Sequence, residues 1–78
     1  MIKIAICEDA LPELQMQMQI IQSIMLKYSK NIKIFCFRSG EELLIEMDTT
    51  GNMDIVFLDV EMSGISGIET ARIIREKD

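Results

Sequence analysis

An α/β fold built on parallel strands is what the sequence predicts, and three observations carry that expectation. Short runs of β-branched and aromatic residues alternate with segments whose apolar residues recur at helical spacing. Polar or glycine-containing breaks separate these segments. The last strand-like run, Ile55-Val56-Phe57-Leu58, is an unbroken apolar centre, the pattern of a parallel strand covered on both faces. Strand, helix, strand, helix, strand, helix is therefore the order, and it implies parallel strands joined by right-handed crossovers.

Each element has its own warrant. Ile2, Ile4 and Ile6 alternate with Lys3 and Ala5 in a first strand that continues to Cys7. Glu8 to Leu11 form a turn, and Pro12 fits the first turn of a helix, where its missing N–H costs nothing. That helix is expected to run to about Tyr28. Leu14, Met18, Ile21, Met25 and Tyr28 share one face, and Ile20, Ile24 and Leu26 widen the apolar surface. Ser29 to Asn31 is a polar break, and Ile32 to Phe37 is a second strand. Ser39 and Glu42 have capping-box spacing and open a second helix carrying Leu43, Leu44 and Met47. It fades between Asp48 and Asn52, where Gly51 favours a loop. The third strand spans Asp54 to Asp59, and Val60 to Ser66 is a loop with two flexible points, Ser63 and Gly64. Ser66 and Glu69 repeat the capping-box spacing ahead of a third helix with Ile68, Ala71, Arg72, Ile74 and Arg75.

Composition narrows the function classes. Seventy-eight residues make one domain at most, and 49% apolar residues are enough for a packed core. The net charge is −5 and no basic cluster is present, which argues against direct nucleic-acid binding by this segment. No stretch reaches transmembrane length, and Met1 to Cys7 lacks the layout of a signal peptide, so a cytoplasmic location is expected. Cys7 and Cys36 sit in apolar runs and read as buried, reduced thiols. Nothing in the sequence is placed to activate Cys7. Without histidine or a Cys-x-x-Cys pair, no zinc site is expected. The seven methionines read as core filler, and Arg72 and Arg75 as surface partners of Glu69 or Glu76.

Sites in an open parallel sheet form at the carboxyl ends of the strands. Three carboxylates fall there: Glu8 and Asp9 after the first strand, and Asp59 ending the third. Clustered carboxylates resist ionising together, and a hard divalent cation such as Mg²⁺ resolves the conflict with oxygen ligands. A carboxylate beside such a cation is suited to attack phosphorus.

The segments Ile6-Cys7-Glu8-Asp9 and Asp54 to Met62, followed by Gly67, resemble the receiver-domain signature of two-component response regulators. Asp54 to Arg75 also resembles receivers of regulators with a LytTR-type DNA-binding output. The resemblance implies a flavodoxin-like fold whose first three strands lie in the order 2-1-3. It makes Asp59 the phospho-acceptor, supplied by a sensor histidine kinase, in a module that is not a turnover enzyme. Glu8 and Asp9 would hold Mg²⁺ directly or through water, with the main-chain carbonyl of Glu61 as a further ligand. Gly67 would allow close packing where the third helix begins. One departure is Ser63, where the family usually has proline.

The same resemblance implies five strands, of which three are legible here, so residues 1–78 are expected to be a partial receiver domain. The Ser or Thr that senses the phosphoryl group and its partner Lys would lie in the remaining portion, as would any output domain. Lys77 lies at the far end of the third helix and cannot be that Lys. An open third-strand edge, with Ile20, Ile24 and Met25 uncovered, predicts self-association as a homodimer or larger oligomer. Two other readings stand beside the signalling module. Asp59-Val60-Glu61 loosely resembles the Asp-x-Asp motif of aspartyl-phosphate phosphohydrolases, and these residues alone are also consistent with an inert, self-associated α/β fragment.

Overall fold

Alternation along the first strand decides which side chains enter which layer of the molecule. The computed structural model describes residues 1–28 and 31–77. In chain order the elements are β1 (Ile2–Cys7), α1 (Leu11–Met25), β2 (Ile32–Phe37), α2 (Gly40–Thr50), β3 (Ile55–Leu58) and α3 (Gly67–Lys77). The strands form one parallel sheet in the order β2-β1-β3. This is the α/β arrangement and strand order that the sequence predicts.

Residues paired in a parallel ladder point to the same face of the sheet. Ile4 pairs with Ile34 and Ile55, and Ile6 with Cys36 and Phe57, so these six share one face. Ala5 pairs with Phe35 and Val56, and Cys7 with Phe37 and Leu58, which places them on the other. The second face carries the core cluster of Ala5, Cys7, Phe37 and Leu43, with Met47, Met53, Met62 and Ile74 packed against it. Helices α2 and α3 cover that face. Helix α1 packs on β1 and β2 from the other side, where it buries Leu14.

Helix ends follow local hydrogen bonding. Ser39 accepts from the Glu42 N–H at 3.1 Å, and Ser66 accepts from the Glu69 N–H at 3.1 Å, so both capping residues act as the spacing predicts. Gly51, at a φ of 91° that disfavours other residues, ends α2 with its N–H on the Met47 carbonyl. Helix α1 stops earlier than expected, at Met25 rather than Tyr28. The Lys27 and Tyr28 N–H groups reach back only three residues, to Ile24 and Met25, and this tighter winding carries Tyr28 off the apolar stripe. Tyr28 is 80% exposed. Ser29 and Lys30, most of the expected polar break, lie outside the described residues.

Two further expectations need correction. Strand β3 is covered on one face only: Val56 and Leu58 join the core, whereas Ile55 and Phe57 remain 37% and 41% exposed. The cause is the placement of α1 over β1 and β2, which leaves its side of β3 uncovered among the described residues. Cys36 is exposed rather than buried: it lies on the edge strand β2, where its thiol meets Met18 of α1 at 3.7 Å. Both cysteines are free. Arg72 pairs with Glu69 at 2.5 Å and with Glu76 on the surface of α3, as expected. Among the described residues, no helix is long and apolar enough to cross a membrane.

Candidate functional site

The ladder carries two acidic residues to one rim. At the end of β1 the Glu8 N–H donates to the Phe37 carbonyl, so Glu8 continues the pairing with β2. On the other side the Asp59 N–H donates to the Cys7 carbonyl, which seats Asp59 beside the end of β1. Asp9 follows in the turn before α1. Glu8, Asp9 and Asp59 each contribute a carboxylate oxygen, and these atoms all lie within 4.8 Å of one another. The three residues singled out by their positions after strands therefore converge, although the sequence separates Asp9 and Asp59 widely.

Their surroundings differ. Glu8 is 7% exposed, and burial pushes its carboxyl above the ordinary range. Its contact with the Asp59 carboxyl adds to the rise, and the Ala10 N–H opposes it. The Gln17 side-chain amide donates to Glu8 Oε1 at 3.4 Å. Asp9 moves the other way. The N–H and hydroxyl of Ser63 both donate to Asp9 Oδ2, at 3.0 and 3.1 Å, and hold its carboxyl below the usual carboxylate range. Arg38 donates to the Asp9 main-chain carbonyl at 2.9 Å and so pins the turn from the β2 side.

A buried carboxyl with a raised affinity for protons, beside two other acids, is a group that a divalent cation would stabilise as the anion. The donor set is all oxygen, which fits Mg²⁺ rather than a softer metal. Glu61 lies exposed in the loop beyond β3, and its side chain is not one of the three converging carboxylates.

The backbone behind Asp59 is tightly packed. A methyl group on Gly67 would fall on the Asp59 carbonyl oxygen, so only glycine lets α3 begin this close to the acidic residue. That is the close approach the family resemblance implied. A similar contact was not legible: a methyl on Gly40 would fall on the hydroxyl of buried Thr70, where α2 meets α3. Nothing in the sequence assigns Gln17, Arg38 or Ser63 to the site. Gln17 has the composition of an ordinary helix former and Arg38 of a surface cation, so only the folded geometry reveals their contacts. Ser63 carried a signal, its departure from the family's proline, but not the identity of its partner.

Residues 4–78 match the response regulator receiver domain family. The chain belongs to this family. The receiver is 31% identical over 61 residues to Stress response regulator protein 1 of Debaryomyces hansenii, a match covering 78% of this chain and 25% of that protein. Its fold is similar to the crystal structure of the response regulator protein TrrA from Thermotoga maritima in complex with Mg²⁺-BeF, with a TM-score of 0.80 and 33% identity. All of this chain and 62% of that one align. A second similar structure is TrrA in complex with the histidine kinase ThkA, with a TM-score of 0.74, 32% identity and 61% of that chain covered. The receiver thus spans about three-fifths of the chains in these solved structures and a quarter of the fungal protein.

Proposed function

We propose that the receiver takes a phosphoryl group from a sensor histidine kinase onto Asp59, at a site where Glu8, Asp9, Asp59 and the Glu61 main-chain carbonyl hold Mg²⁺. The observation that carries this reading is the convergence of three carboxylate oxygens within 4.8 Å at the rim of a receiver fold. An oxygen of Asp59 forms the new bond to phosphorus as the bond from phosphorus to the kinase histidine breaks, and the imidazole keeps the electron pair. Mg²⁺, when bound, supplies the positive charge that offsets the phosphoryl oxygens. Glu8 contributes a buried carboxyl, raised above its ordinary range by burial, whose anion a cation would stabilise, and Asp9 a surface carboxylate that the Ser63 donors favour in the charged form. Two structures of one relative support the cofactor and the partner: TrrA was solved with Mg²⁺-BeF and, separately, with the kinase ThkA.

In this reading the receiver is a signalling module in the cytoplasm, not a turnover enzyme, and passes the change to an output that acts on transcription. The 78 residues alone self-associate through the outer edge of β3, where Ile55 and Phe57 are exposed beside an apolar groove lined by Val56, Leu58, Ile68 and Ile74. Incubation with acetyl phosphate and Mg²⁺ should add one phosphoryl mass that is absent in Asp59→Asn. Equal labelling of the two proteins would refute the assignment of Asp59.

A further inference from the structure

We infer that Ser63 is a positioning residue for the metal site, clamping one oxygen of Asp9 and leaving the other to coordinate the cation. The inference rests on the metal-binding reading above and deepens it. Ser63 and Asp9 are 54 residues apart, yet the Ser63 N–H and Oγ both donate to the same atom, Asp9 Oδ2, at 3.0 and 3.1 Å. A carboxylate oxygen has two lone-pair directions, and two donors engage both. Oδ1 is then the coordinating oxygen of Asp9. A side chain at the surface of a turn would otherwise lose its rotational freedom when the cation arrives, and the clamp removes that cost beforehand.

Ser63 is itself held. On one side of it the Gly67 N–H closes the loop onto the Val60 carbonyl at 3.1 Å. On the other, the Ile65 N–H donates to Glu41 Oε2 at 3.4 Å, from the first turn of α2. Gly64 takes a φ of 80°, which lets the chain turn between Ser63 and Ile65. The loop that follows the acceptor is therefore tied both to α2 and to the acidic turn after β1. Proline at position 63 would supply neither donor, since it has no N–H and no hydroxyl.

Partners behind metal ligands are worth about 10- to 100-fold in metal affinity. Ser63→Ala keeps the N–H and loses only the hydroxyl, so the expected loss is near the lower end, about tenfold. The test is a titration of the protein with Mg²⁺ alone, followed by the amide resonances of Asp9 and Asp59, for the wild type, Ser63→Ala and Ser63→Thr. Weaker binding in Ser63→Ala, recovery in Ser63→Thr and an unchanged melting temperature of the metal-free proteins support the clamp. Equal affinity in the wild type and Ser63→Ala overturns it and leaves the metal site standing, as does a Ser63→Thr variant as weak as Ser63→Ala. A wild type that binds no Mg²⁺ overturns the metal reading and the clamp with it.

Discussion

The two faces of the sheet are built from the same strands by the same alternation, yet they are covered unequally. On the face under α2 and α3, Ala5, Cys7, Phe37 and Leu43 are buried, and Val56 and Leu58 join them. On the α1 face, Ile4 and Ile6 are fully buried at the centre, but Ile55 and Phe57 of β3 are partly open. The residue types do not differ enough to explain this. Helix position does: α1 lies over β1 and β2, whereas α2 and α3 together cover the opposite side as far as the groove at Val56 and Leu58. Apolar alternation decides which way a side chain points, and the layer above decides whether it is buried.

The largest expected contrast is chemical. Cys7 points into the closed face, where burial pushes its thiol up to about 12, and Cys36 lies exposed on the other. Alkylation of the native protein should therefore modify Cys36 at least about 100-fold faster, with Cys7 reacting only after unfolding. Comparable rates would show that the α2–α3 face is open in solution.

Stability should divide in the same way. Leu43→Ala removes a fully buried side chain and should cost about 3 kcal/mol in urea denaturation. Ile55→Thr, on the open side of β3, should cost about 0.5 kcal/mol. Equal losses would mean that Ile55 is covered in solution, as self-association through β3 would also produce, and a concentration series separates the two causes.

The smallest effect concerns the rim between the faces. The raised carboxyl of Glu8 means that the folded chain holds a proton there that the unfolded chain releases. In metal-free buffer, stability should fall as pH rises from the ordinary value of 4.5 through the raised value of Glu8. Asp9 has the opposite sign, and its contribution is lost only as pH falls from 3.8 through its lowered value. Glu8→Gln should flatten the slope above 4.5. A slope that persists in this variant would trace the effect to another group.

Much of the molecule was legible in one dimension because its signals are local. Strand alternation, the Ser39 and Ser66 caps, Pro12 in the first turn and the acidic residues placed after strands depend on neighbours within a few positions. The end of α1 was less legible, because the apolar spacing continues past Met25 after the hydrogen bonding has tightened.

By itself, then, the chain determined its fold class, the order of its elements and the three carboxylates at the strand ends. Tertiary structure decided the rest: that α1 stops short of β3, that Cys36 is open, that Gly40 meets Thr70, and that Ser63 reaches Asp9. The physical reason is range. Dihedral preference and periodicity act between near neighbours and leave a mark in the sequence. Coverage of a face and a hydrogen bond across 54 residues exist only after distant segments have been brought to the same place.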